Sequence, residues 1–464
     1  MTDIQQILQT VVQHLSGGNL HEAEKGCRKV LTVQPENPDA LHILGVIAFK
    51  VGRLDAAREL ISKAISLFCN NPSFYTNLGN VHQACNETPE AIAQYQKALA
   101  LNPENPHAHS NLGVAYKALG LTQKAMENFD AALSRYEKHP DFHTDPGYAD
   151  CRLNRALIFL VKGNFAAGWP EFEWRFSSSH TPPTFPGGKI WDGTPFPGKT
   201  LLVYEEQGHG DTFQCIRFLP MLKELGGHVI LEISPALARL VSSFDGFDRL
   251  WIKNDAKDTR DLDQFDLKIP MMSLPRLLNT TLDTIPSKVP YLKADDTLTR
   301  IWGERLSGGR GMKVGVCWAG SPANKNDRNR SIPLSAFSEL VSVPGVRLFS
   351  LQLEKYDRWT DTDPANIFEL DLGEEISDFA DTAAILANLD LLISVDTSVV
   401  HLAGALGAKV WTLIPFVPDW RWLLDREDSP WYPGMRLFRQ KGRGEWKQVF
   451  RQIRAALTQA SNQG

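Results

Sequence analysis

Near the start of the chain, Ile4, Ile7, Leu8, Val11, Val12 and Leu15 recur at three- and four-residue intervals, which predicts an amphipathic helix. From residue 200 the pattern changes. Short apolar or β-branched runs at 200–204, 228–233, 249–253 and 265–270 alternate with helical stretches. After a polar stretch near 294–311, a second series follows at 313–318, 346–351, 367–371, 391–395 and 410–414. Continuous apolar strands separated by helices predict parallel sheets covered on both faces. Two such series predict two Rossmann-like domains facing across a cleft, with ligands bound beyond the carboxyl ends of the strands.

Between these regions the pattern is periodic on a longer scale. Pro38, Pro72, Pro106 and Pro140 recur at 34-residue steps, as do Gly45, Gly79 and Gly113, each preceded by Leu. Ala57, Ala91 and Ala125, then Ala64, Ala98 and Ala132, keep the same period. Proline opens the first helix of each unit, and glycine and alanine stand where two helices must approach closely. The pattern resembles tetratricopeptide repeats, with three good units at about 38–140, a partial unit before them (Gly18, Ala23, Pro35) and a divergent one after an insertion (Asn154, Gly163, Phe172). Such an array has a concave surface suited to a peptide or protein, although a packing or dimerisation module has the same pattern. Asn77, Asn111 and Asn154 fall on first helices, where they either hold a peptide backbone or bond neighbouring repeats.

The segment 177–199 is dense in Ser, Pro and Gly and reads as a linker anchored by Phe185, Ile190, Trp191 and Phe196. The expected organisation is a repeat array over 1–176, this linker, an α/β half over 200–310 and a second half over 311–464 with a closing helix. Apolar residues at 43%, charged residues at 22% and a net charge of −5 suit a globular protein and give no footprint for nucleic acid. The six cysteines are scattered without a C-x-x-C pair, which fits a reducing compartment. The opening residues lack the pattern of a signal peptide and no run is long enough to span a bilayer, so a soluble, cytoplasmic protein is expected.

Four loops carry candidate chemistry. In 205–213, Gly208 and Gly210 admit a ligand close to the backbone, and Asp211 is either a helix cap or a general base, a role that His209 or Glu206 could share. A dinucleotide site would need a third glycine where Phe213 stands, which leaves a nicotinamide reading dependent on Glu232. In 319–333, Gly320, Ser321, Lys325, Arg328 and Arg330 form a locally basic loop suited to a diphosphate. In 394–407, Asp396 ends a strand, Thr397 and Ser398 can cap the next helix, and His401 lies near its start, which together suit a phosphate. In 415–433, Trp420, Trp422, Trp431 and Tyr432 read mainly as structure, with Asp419 and Arg421 as lesser site candidates.

The stretches GDTFQCIRFLP (210–220), WAGSPANKNDRNRSIP (318–333) and DTSVVHLAGALG (396–407) resemble the bacterial heptosyltransferase-like family, glycosyltransferase family 9, over about 200–440. The resemblance implies a GT-B fold and an inverting transfer of a sugar from a nucleotide-sugar donor without a metal or other cofactor. It implies Asp211 as base, Arg330 at the donor diphosphate, and Asp396, Thr397, Ser398 and His401 as donor contacts. Family members with a heptose donor usually carry Lys at the position of Arg330 and Gly at that of Ser398, so the sugar stays open. Repeats followed by a GT-B module are also the plan of O-linked N-acetylglucosamine transferases and flagellin glycosyltransferases, which implies a protein acceptor on the repeats. The alternative is a catalytically silent scaffold with a vestigial GT-B half. Asp361-Thr362-Asp363, a D-x-D string, precedes a strand and reads as surface acid rather than a metal site.

Overall fold

The computed structural model describes residues 3–178, 187–253, 264–324, 326–353 and 359–462; Phe185 and Lys325 lie outside them. The chain forms two compact units, Met1–Ile158 with Trp174–His180, and Phe159–Glu173 with Thr181–Gly464.

The first unit is a series of helix pairs: α1 (Asp3–Ser16) and α2 (Leu20–Val33), α3 (Pro38–Lys50) and α4 (Leu54–Leu67), α5 (Pro72–Ala84) and α6 (Thr88–Leu101), α7 (Pro106–Ala118) and α8 (Thr122–Tyr136), then α9 (Pro146–Val161). Asn-Pro starts three of these pairs. Asn37, Asn71 and Asn105 accept from the amides of Ala40, Ser73 and Ala108, while the following proline needs no partner for its nitrogen. A β-carbon on Gly45, Gly79 or Gly113 would meet Ile61, Tyr95 or Phe129 at 2.5, 2.4 and 2.6 Å, so the periodic glycines are the contact points of each pair. The turn inside each pair needs a positive φ, met by Gly18, Gly52, Asn86 and Gly120 at +77, +78, +67 and +73°.

The asparagines bond within the array. Asn77 Nδ2 lies 2.8 Å from His42 Nε2, whose imidazole burial pushes down to about 4, leaving it neutral. Asn111 donates to Asn80 Oδ1 at 2.8 Å, and Asn154 donates to Asp150 O while accepting from Lys117. Each of the three therefore has at least one bond inside the array, which is the structural role their position on first helices allowed.

The fifth helix pair is α9 and α10 (Phe165–Phe172), with Gly163 at φ +77° between them. α10 falls in the second compact unit, whereas Trp174–His180 falls in the first. Phe165 and Trp169 pack on Trp431 and Trp420, and Trp169 Nε1 donates to Thr280 O at 2.9 Å, so burial of aromatic surface draws α10 into the second unit.

That unit holds two wholly parallel sheets. The first contains β1 (Lys189–Ile190), β2 (Thr200–Tyr204), β3 (His228–Ile233), β4 (Arg249–Ile252) and β5 (Leu267–Pro270) in the order β1-β5-β2-β3-β4. The second contains β6 (Met312–Cys317), β7 (Val346–Ser350), β8 (Leu370–Asp371), β9 (Leu391–Val395), β10 (Val410–Ile414) and β11 (Met435–Arg439) in the order β8-β7-β6-β9-β10-β11. This second order is that of a doubly wound nucleotide-binding sheet, with its switch point between β6 and β9. In the first sheet the order reverses between β2 and β5. Two edge strands differ from expectation: β1 lies in the segment read as a linker, and β11 interrupts its apolar run with Arg436 and Arg439. The helix Trp446–Ser461 closes the second sheet with Val449, Phe450, Ile453 and Leu457 in its core.

Candidate functional site

At the second sheet's switch point two loops meet. After β6, the amides of Trp318 and Ala319 donate to Gln352 Oε1, and Gly320 N donates to Ser331 Oγ at 3.0 Å. Ser331 Oγ in turn donates to the buried Asp327 at 2.7 Å, closing the loop on itself. These bonds fix the short helix Asp327–Arg330. The Arg330 Nη1 then donates to the backbone carbonyl of Asp396, at the end of β9, at 2.7 Å. A β-carbon on Gly320 would stand 2.3 Å from Arg330 Nη2, so any larger residue there would make this guanidinium shift. Ser321 is exposed beside it.

After β9 the helix Ser398–Ala405 begins with Thr397 at its N-cap, but no side chain makes the cap bond. The expected Thr/Ser cap is therefore absent; the first turn presents its amides without a hydroxyl laid across them. Burial raises the Asp396 carboxyl to about 6, Asp419 adds to the rise and Arg330 opposes it. His401, in contrast, is 5% exposed, stacks on Trp422 at 5.2 Å and shares its Nδ1 with Tyr432 Oη at 2.9 Å. Burial holds it well below the usual imidazole range, so it is neutral. The ring packs closely against Gly210 of the helix His209–Cys215, so any contact His401 makes with a sugar donor is that of a neutral imidazole.

The third convergence joins the two sheets. The turn Trp420–Trp422 carries Arg421, whose Nη1 donates to Asp419 at 2.8 Å and whose Nε donates to Gln214 Oε1 at 2.6 Å. Its Nη2 donates to Asp211. The other oxygen of Asp211 accepts from Gly208 N at 2.7 Å, which makes Asp211 the third residue of its helix bonding back to the cap position rather than the cap itself. Burial raises the Asp211 carboxyl above its ordinary value, with Arg421 opposing. Gln214 is fully buried and its Nε2 has no hydrogen-bond partner among the described residues.

The other base candidates stand apart in role. Glu206 accepts from the amide of Met272 at 3.1 Å, across the first sheet's switch point, and is buried there. His209 sets its ring edge-on to Phe379 at 5.2 Å. Glu232, which a nicotinamide reading needs, lies 3.8 Å from Lys253, which also pairs with Glu205. Asp361 accepts from Ser335 through both oxygens and Asp363 caps Ala365, so the D-x-D string serves local structure. Among the described residues, no cluster of three or more metal-ligating side chains occurs.

Sequence reasoning underrated Arg421 and missed Gln214 and Arg217. Arg217 is buried and donates to Gln214 O, Trp431 O, Pro286 O and Tyr291 Oη, so it fastens the aromatic cluster to the helix after β2. A signal existed: Gln and Arg interrupt the otherwise apolar TFQCIRFL stretch. The four aromatics of 415–433 are buried structure, as their crowding suggested.

Models of the tetratricopeptide repeat match residues 13–72, 84–120 and 106–139, and the helix pairs of the first unit are such repeats. Protein FlbA of Caulobacter vibrioides is 28% identical over 335 residues, covering 65% of this chain and 54% of FlbA. The chain thus spans about half the length of that relative. Among solved structures, MamA protein is 24% identical over 38% of this chain and 92% of its own, with a TM-score of 0.30. Pseudomonas aeruginosa pilF is 21% identical over 37% of this chain and 74% of its own, with a TM-score of 0.33. No described helix is long and apolar enough to cross a membrane.

Proposed function

We propose that the second unit is a GT-B glycosyltransferase that moves a sugar, with inversion and without a metal, from a nucleotide-sugar to an acceptor hydroxyl. The observation that carries this reading is the Arg330 guanidinium held on the Asp396 carbonyl at a sheet switch point. A cation and an uncapped helix start at one place suit the two phosphates of a nucleotide-sugar. Thr397 and Ser398 bring hydroxyls to that helix start, and Gly320 leaves the space beside Arg330.

In this reading the acceptor hydroxyl gives its proton to the Asp211 carboxylate. The acceptor oxygen forms a bond to the anomeric carbon as the bond from that carbon to the phosphate oxygen breaks. The electron pair leaves with the nucleotide, where Arg330 and the start of the helix Ser398–Ala405 stabilise it. Asp211 must first be released by Arg421, and Asp419 makes this feasible, because it keeps Arg421 paired after the exchange. The repeats would then bring a protein or peptide acceptor to the enzyme.

Isothermal titration of the full chain with ADP, UDP, GDP and CDP tests the reading. It expects one diphosphate to bind in the presence of EDTA and Arg330→Ala to weaken it. Absence of binding by all four supports a silent scaffold instead.

A further inference from the structure

A cavity of ≈ 780 Å³ opens beyond the carboxyl ends of β10 and β11, between the segment after Pro415 and the helix Trp446–Ser461. Its size is that of small-molecule sites. Its walls include Arg426, Arg436, Arg439 and Lys441 against Asp425 and Glu427, an excess of two positive charges in a chain whose net charge is −5.

Two features of the wall are unbalanced. Arg439 donates to the carbonyls of Trp422, Leu423 and Arg426, yet no carboxylate pairs with it among the described residues. A guanidinium has five N–H donors, so two remain after these three bonds. Burial lowers it to about 10, a fall that the nearby Asp425 and Asp428 oppose without reversing and to which Arg426 adds. Gln440 is 7% exposed; its Oε1 accepts from Phe416 N at 3.0 Å, while its Nε2 has no partner among the described residues. A buried amide donor and a half-buried cation held only by carbonyls stand on one cavity wall, and both suit an acceptor carrying negative charge.

We propose that this cavity binds a small organic anion through a phosphate or carboxylate group, received by Arg439, the Gln440 amide and Lys441, at a place separate from the Asp396 cluster. The Arg439 carbonyl bonds also hold the turn in which Leu423 and Asp425 take φ values of +54 and +52°. Arg439 is therefore unsuitable as a probe, and Gln440 and Lys441 are the positions to change.

The test is calorimetric titration of the full chain with inorganic pyrophosphate and, separately, citrate, which distinguishes a phosphate from a carboxylate ligand. Gln440→Glu keeps the acceptor for Phe416 N but replaces the free donor with an anion; Lys441→Glu changes an exposed side chain. Each is expected to weaken the bound anion about tenfold or more, with the far-ultraviolet spectrum unchanged. Arg330→Ala is expected to leave this binding in place. The proposal is overturned if neither anion binds, if both charge-reversed variants bind as the parent does, or if Arg330→Ala alone abolishes binding.

Discussion

The Arg330 guanidinium and the Asp396 backbone carbonyl lie 2.7 Å apart, joining the loop after β6 to the loop after β9. These two strands are neighbours at the reversal of strand order, so the bond spans the crevice where doubly wound sheets place ligands. Gly320 guards the arrangement. Gly320→Ala is expected to push Arg330 off the carbonyl and to weaken nucleoside diphosphate binding about tenfold, while the melting temperature changes little; titration with the bound diphosphate checks it.

Asp396 makes the site sensitive to pH. Its folded value of about 6 lies above the ordinary 3.8, so the protonated form is favoured by folding. That contribution to stability is full below the ordinary value and is lost as pH rises through about 6. Asp396→Asn is therefore expected to raise the melting temperature relative to the parent at pH 7.5 and to give no gain at pH 4. A bound diphosphate favours the protonated carboxyl further, so binding takes up a proton and weakens as pH rises above 6. Calorimetry in two buffers of different ionisation enthalpy measures that uptake directly.

Arg421 separates Asp211 from Asp419 and is paired with both. Replacing it with Ala leaves two half-buried carboxylates without their cation, and the expected loss of stability is about 3 kcal/mol in urea unfolding at pH 7. The double change Arg421→Met with Asp211→Asn is expected to recover part of that loss. Additive losses would remove the coupling.

The helical array and the doubly wound sheets were both legible in the chain, for a physical reason. The 34-residue step of Pro, Gly and Ala marks contacts that recur in every helix pair, and apolar strands of a parallel sheet stand out against helical spacing. Less legible was anything decided by burial between distant segments. Arg421 reads as one charge among aromatics, but 210 positions earlier Asp211 waits for it. His401 stacks on Trp422 and bonds Tyr432, contacts that its spacing on the helix did not reveal. The edge strand β11 was missed because its arginines break the apolar run.

Where the array ends is testable by truncation. Because Phe165 and Trp169 cover Trp431 and Trp420, removing residues 1–176 is expected to lower the melting temperature of what remains, whereas removing 1–145 is not. Equal melting temperatures for the two fragments would contradict the assignment of α10. The shorter deletion is further expected to keep nucleotide binding and to lose transfer to the natural acceptor.

The central claim is that the turn bearing Arg330 and the turn bearing Asp396 grip one nucleotide diphosphate for sugar transfer. The most direct measurement is release of nucleotide from a panel of nucleotide-sugars by the purified full chain in EDTA, beside its Asp396→Ala variant. The account predicts turnover of at least one donor by the parent and its loss in the variant. Turnover unchanged by Asp396→Ala, or no turnover and no binding across the panel, would contradict it.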